Sequence, residues 1–232
     1  MTDRTWEGDR REGYALCQPP QGRNPTVSAT GVFWYDGAGE RRRPSTGHRE
    51  AHGMDHADHV ALIRGGVPGP GGTWADLGAG AGAFTLALAD LIGAGGRITA
   101  IDRDERALRQ LATALAAHFP AVTVRPLVAD YTRPLDLPPL DGIVAANTLH
   151  FLPPPTRETA LTLIHAALRP GGRLIVVEYN IARGNPWVPH PFTYDTWETM
   201  ARQAGFVGTR LLARRPSRTL PLSSWQSPRA RA

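Results

Sequence analysis

Between residues 73 and 180 the chain alternates short apolar runs with stretches whose apolar residues recur every three or four positions. The runs TWADL (73–77), RITAI (97–101), VTVRPLV (122–128), DGIVAA (141–146) and RLIVVEY (173–179) have the length and branched content of buried strands. The stretches between and after them predict helices at about 82–92, 104–118, 156–168 and 193–204. A shorter helix is predicted from Met54 to Arg64, with Val60, Leu62 and Ile63 as its apolar positions, ended by GGVPGPGG. Strands alternating with helices give a doubly wound, mostly parallel sheet with helices on both faces and right-handed crossovers. The connection YTRPLDLPPL is too rich in proline for a long helix. A late strand is expected from Val207 to Ala213, and no internal repeat is present.

Residues 1–53 lack this periodicity and carry RRRP among many Gly, Pro, Ser and Thr, which predicts a flexible N-terminal tail with one short strand at Val32 to Tyr35. Residues 54–216 then form the folded domain. Residues 217–232 form an Arg-rich tail, of which 217–225 is the candidate for a last edge strand.

The first strand ends in Asp76 and breaks at once into Gly78, Ala79, Gly80 and Gly82 before a helix opens. Glycine at such a turn accepts positive φ and lets backbone approach a ligand closely. The second strand ends in another acid, Asp102, at the spacing where dinucleotide folds hydrogen-bond a ribose. Strand, glycine turn, helix, strand and acid therefore predict a site for an adenosine-containing cofactor. Gly78, Gly80 and Ala83 also satisfy the looser NAD pattern. Asp76 discriminates, because a carboxylate opposes a pyrophosphate and suits a cationic ligand.

The pattern D-x-G-x-G-x-G resembles the first motif of the class I S-adenosylmethionine-dependent methyltransferases, whose cofactor carries a sulfonium and an ammonium and no phosphate. Later landmarks fall in the family's order: VTVRPLVADY, DGIVAANTLHFL, LRPGGRLIVVEY, and AGF before the late strand. The resemblance covers roughly residues 54 to 215. It implies a Rossmann-like fold with an antiparallel late strand, Val207 to Ala213 pairing with Thr219 to Leu222. It implies S-adenosyl-L-methionine held by Asp76, Gly78, Ala79 and Gly80 at the first turn, and by Asp102 and Arg103 after the second strand. Asp130 and Tyr131 are placed at the adenine, and Asn147 at the end of the fourth strand. Gly82 is expected to serve helix packing, and Asp141 to be a buried strand-start acid.

Charge narrows the acceptor. Residues 1–53, 54–204 and 205–232 carry +1, −2 and +6, within a total of +5. The basic character therefore lies in the C-terminal tail, away from the predicted cleft, whereas a nucleic-acid enzyme is expected to put its positive patch beside that cleft. The family's DNA amino-methylating members carry N/D-P-P-Y/F/W after the fourth strand, where this chain has NTLH; cytosine-C5 enzymes need Pro-Cys, and Cys17 is followed by Gln18. A small-molecule acceptor is the leading expectation, RNA or DNA the alternative, and a non-catalytic module of the same fold a third. All 26 basic residues are arginine, which removes Schiff-base lysines, P-loop lysines and the Tyr-x-x-x-Lys dehydrogenase dyad. Cys17 alone excludes an internal disulfide or a thiolate metal cluster. The charged N-terminus and the lack of any run of membrane-span length predict a cytoplasmic chain.

His150, in NTLHF just past the fourth strand, is the candidate general base, because neutral imidazole accepts protons near neutral pH. The alternative is that it lines the cofactor pocket. The loop EYNIARGNPWVPHPFTY, with Trp187, His190 and Phe192, reads as an apolar lid or as a packed crossover. Glu178, Asn180 and Asn147 depart from the spacing of a Mg²⁺ site, and no metal is expected. His48, His52, His56 and His59 read as a solvated approach to the domain, with His59 the one near enough to cap the cofactor pocket.

Overall fold

The computed structural model describes the backbone of residues 28–35 and residues 54–216. Seven strands form one sheet: β1 (Ser28–Tyr35), β2 (Thr73–Leu77), β3 (Arg97–Asp102), β4 (Thr123–Val128), β5 (Leu140–Ala146), β6 (Leu168–Tyr179) and β7 (Val207–Pro216), in the order β4-β3-β2-β5-β6-β1-β7. Five α-helices accompany it among the described residues: α1 (His56–Ile63), α2 (Ala83–Ile92), α3 (Glu105–His118), α4 (Pro154–Ala167) and α5 (Tyr194–Gln203).

The central strands are buried on both sides, so successive residues serve opposite cores. Trp74, Val144, Ile175 and Val177 join the cluster under α1, α2 and α3, while Ala75, Leu77, Ile143, Ala145, Leu174 and Val176 join the cluster containing Leu161, Ile164 and Trp197 of α4 and α5. Gly142 is required beside this packing: a Cβ there would overlap the ring of Trp74 on the neighbouring strand. Helix starts follow their sequence signals. Asp55 caps α1 through the N–H of Asp58, Asp104 caps α3 through Arg106 and Ala107, and Thr193 caps α5 through Thr196. Prolines open α4, where a missing N–H costs nothing.

Two expectations are revised. Val207–Pro216 is indeed the late strand, but it pairs parallel with β1. A crossover containing α5 carries the chain back to the end from which β6 started, so β7 must run in the same direction as β6. The expected antiparallel partner, Thr219 to Leu222, lies outside the described residues. In addition, the strand predicted at Val32 to Tyr35 begins earlier, at Ser28, and lies inside the sheet, hydrogen-bonded in parallel to β6 on one side and β7 on the other. Cys17, His48 and His52 also fall outside the described residues.

The order places the topological switch between β2 and β5, whose neighbours run outward in opposite directions. In such sheets ligands bind beyond the carboxyl ends of the strands at this point.

Candidate functional site

The glycine turn leaves β2 with three positive φ values: +69° at Gly78, +52° at Gly80 and +96° at Gly82. Each glycine has its own reason. A Cβ at Gly78 would overlap the Thr148 side chain, and one at Gly82 would overlap Leu111 of α3. At Gly80 nothing lies within 4 Å, so its open side is the approach a ligand would use. The expected packing role of Gly82 is the one observed.

The two acids at the strand ends are held by this turn and by the helix it opens. Asp102 accepts from the N–H of Gly80 at 2.8 Å through one oxygen and from the N–H of Asp104 at 2.9 Å through the other. A carboxylate has about four acceptor directions, so capacity for two hydroxyls remains. Asp76 is buried at the end of β2 and accepts the Thr85 hydroxyl of α2 at 2.5 Å. Burial pushes its carboxyl up to about 7, with Asp102 adding to the rise and Thr85 opposing it.

Asp130 is engaged more fully than its expected role at the adenine requires. One oxygen takes the N–H and hydroxyl of Thr132, and the other takes Arg103. The Thr132 hydroxyl, aided by its N–H and the Arg103 guanidinium, holds this carboxyl below its usual range against the opposing effect of burial. Arg103, expected at the cofactor, thus braces Asp130. Tyr131 turns inward, its hydroxyl 2.8 Å from the Thr148 hydroxyl, and burial raises it to about 12.

At the end of β5, Asn147 has φ +51°, the single positive value outside glycine among the described residues, and its side-chain oxygen is sealed from solvent without a partner. An unpartnered buried oxygen costs about 1–3 kcal/mol. At the switch point, a donor from a ligand would remove that cost. The turn beyond it, Leu149–Phe151, is a short 3₁₀ helix whose N–H groups converge on Glu178 of β6. One oxygen of Glu178 accepts from Thr148, Leu149 and His150 at 3.1, 2.8 and 3.2 Å. The other lies 2.6 Å from Nδ1 of His150. Both side chains are almost wholly buried, at 2% and 1% exposure. Sequence reasoning singled out His150 but weighed Glu178 only as a metal ligand. No sequence signal marks this role, because Glu178 meets the turn only once β5 and β6 end side by side, with Ala146 opposite Val177.

The loop after β6 is fastened to this turn. The His190 N–H donates to the His150 carbonyl, and the buried Arg157 of α4 donates to the His190 carbonyl at 2.8 Å. Arg157 also sits over the Phe192 ring, 4.6 Å from its centre. Trp187 projects from the tight turn at Asn185–Val188 with 67% exposure, so it fills no satellite core. The Asn180 side chain accepts the Tyr194 N–H, a structural task. At the other end of the sheet Asp141 accepts the Thr73 N–H and pairs with Arg169, as a strand-start acid should. His59 stands edge-on to Phe84 near the glycine turn, and burial lowers its pKa.

A glycine turn, two carboxylates and an orphaned amide oxygen lie together at one switch point of a doubly wound α/β sheet, where ligands of this fold class bind. Residues 75–172 match the methyltransferase-domain family. The carboxy-S-adenosyl-L-methionine synthase of Shewanella amazonensis is 38% identical over 110 residues, 47% of this chain and 45% of that protein. The chain thus spans less than half the length of the curated relatives it matches. Among solved structures, a Burkholderia thailandensis 1,6-didemethyltoxoflavin-N1-methyltransferase, with 1,6-didemethyltoxoflavin and S-adenosylhomocysteine bound, superposes with a TM-score of 0.52 at 25% identity, over 64% of this chain and 66% of that one. An Aquifex aeolicus S-adenosylmethionine-dependent methyltransferase shares the fold at 23% identity, with a TM-score of 0.52 over 64% of this chain and 79% of that one. Residues 75–172 thus have the pattern of a methyltransferase domain, and that match together with the S-adenosylhomocysteine-bound neighbour supports S-adenosylmethionine as the cofactor.

Proposed function

We propose that the chain transfers the methyl group of S-adenosylmethionine to a small-molecule acceptor, with His150 as the general base. The observation that carries this reading is the direct contact between the two halves of the site. Gly78 of the cofactor turn abuts Thr148, two residues before His150, and Tyr131 bonds the same threonine.

The turn at Gly78, Ala79 and Gly80 would hold the cofactor by its backbone. Asp102 would accept ribose hydroxyls, Asn147 would accept a donor at the strand end, Tyr131 would flank the adenosine, and Asp76 would face the ammonium. The bound cofactor supplies an electrophilic methyl carbon. What remains for the protein is to align a nucleophile, exclude water and receive a proton. Alignment supplies much of the rate in such displacements. Exclusion of water falls to the fastened loop over the His150 turn, and proton acceptance falls to His150. Acidic residues outnumber basic ones in 54–204, which favours a small acceptor over a polyanion.

Titration calorimetry with S-adenosylmethionine, S-adenosylhomocysteine and NAD tests the cofactor. The first two should bind more tightly than NAD, and the reverse order would overturn the reading. Asp102→Ala should weaken S-adenosylhomocysteine at least about tenfold, a loss of about 1.4 kcal/mol, in a protein that still folds. An unchanged dissociation constant would remove Asp102 from the site. Methyl-labelled cofactor added to a source-cell extract, with and without the protein, should identify the acceptor by mass spectrometry. The same spectra would reveal a carboxylated cofactor, the product named for the Shewanella relatives.

A further inference from the structure

We propose that Glu178 is the positioning residue of this site, fixing His150 as the tautomer whose Nε2 lone pair faces the ligand, and that the acceptor presents a phenol-type hydroxyl to that nitrogen. The inference rests on the methyl-transfer reading and names its acceptor class.

Glu178 meets donors at both oxygens. Three backbone N–H groups reach one, and the second lies 2.6 Å from Nδ1. With one oxygen covered by these donors, a carboxylate leaves the facing ring nitrogen only the donor's part, so Nδ1 carries the hydrogen and Nε2 the lone pair. Nε2 bonds to no other described residue, and it is not among the sealed, unpartnered side-chain atoms, which are Asn147 Oδ1, Arg157 Nε and Trp197 Nε1. Its lone pair is left for a ligand.

The groups facing the pair come from three directions: Arg157 from α4, Tyr131 from the segment after β4, and Tyr179 from β6. Burial raises both phenols, Tyr131 to about 12, so neither competes for the proton near neutrality. Arg157 supplies the positive charge that a buried carboxylate needs nearby.

A base stationed in this way serves a nucleophile that still holds its proton at neutral pH, which a hydroxyl does. Phe151, 56% exposed with its ring centre 4.2 Å from that of His150, sets an aromatic surface beside the imidazole and suits a hydroxyl on an aromatic frame. His150 takes the hydroxyl proton at Nε2 as the oxygen bonds to the methyl carbon. The electron pair of the broken carbon–sulfur bond stays on sulfur, leaving a neutral thioether, and the proton on His150 returns to water.

Glu178→Gln tests the assignment. Its amide oxygen can still accept the three N–H groups, while its NH₂ would face Nδ1 and force the proton onto Nε2. Nitrogen-15 spectra of the imidazole, recorded with S-adenosylhomocysteine bound, should show Nδ1–H in the wild type and Nε2–H in the variant. Cofactor affinity should stay within about twofold, and methyl transfer should fall about 10²–10⁴-fold, as loss of a general base or its tautomer does. The labelled acceptor should carry its methyl on oxygen. An Nε2–H ring in the wild type overturns the assignment whether or not the variant folds, and a methyl on nitrogen, sulfur or carbon overturns the hydroxyl. Failure of the wild type to bind S-adenosylhomocysteine would sink the methyl-transfer reading itself.

Discussion

Asp76 gives the candidate site a group that titrates near neutrality. Its carboxyl stands near 7 against an ordinary 3.8, because burial disfavours the charge and one hydroxyl compensates only in part. A carboxyl raised by folding contributes stability that is complete below the unfolded value and is lost as pH rises through the folded one. The ligand-free protein should therefore lose stability between about pH 4 and 7. A cofactor ammonium facing Asp76, as proposed, would reverse the preference, since it favours the ionised carboxylate. Binding near pH 6 should then release a fraction of a proton, read as a calorimetric enthalpy that varies with the buffer's ionisation heat. Asp76→Asn should remove that variation, and identical enthalpies in all buffers for the wild type would contradict the coupling. Asp76, the glycines and Asp102 were legible because one short stretch of chain carries the whole turn. Glu178 and Arg157 were not, because their tasks exist only once β5, β6 and α4 lie side by side.

Among the elements, every strand and helix from β2 to α5 was legible within a few residues, since each buries a face that leaves a periodic trace. β1 was legible only as a short apolar run. Its partners are Arg173 to Tyr179 on one side and Val207 to Pro216 on the other, so its place depends on neighbours remote in sequence. A strand paired on both edges cannot accommodate proline, which removes a ladder hydrogen bond. Val32→Pro should lower the melting temperature, by roughly 4–8 °C for each kcal/mol in a small domain and less in a larger one. The cost of an interior proline is about 3 kcal/mol or more in a helix, and a comparable loss is expected here. A melting curve superposable on the wild type would mean that β1 adds nothing to the sheet.

For the whole molecule, charge and catalysis are separated along the chain: the six arginines and no acids of residues 205–232 contrast with the net −2 of residues 54–204. Removing residues 217–232 should leave cofactor affinity unchanged, provided circular dichroism first shows an intact fold, and should abolish any salt-sensitive binding of RNA. Tight RNA binding at physiological salt, lost on truncation together with RNA methylation, would replace the small-molecule acceptor with a nucleic acid. No helix among the described residues is long and apolar enough to cross a membrane.

The sheet order also has a consequence for how the chain is made. Ser28 is among the first described residues to leave the ribosome, yet it pairs with Arg173 and Val207. At a synthesis rate of about 5–20 residues per second, roughly ten to forty seconds separate the appearance of β1 from that of both its neighbours. Until β6 emerges, β2 to β5 can already assemble, while Ser28–Tyr35 waits with neither edge paired. Closure of the sheet around its earliest strand is therefore among the last steps of folding on the ribosome, and a nascent chain halted before β7 would still present an open edge at β1.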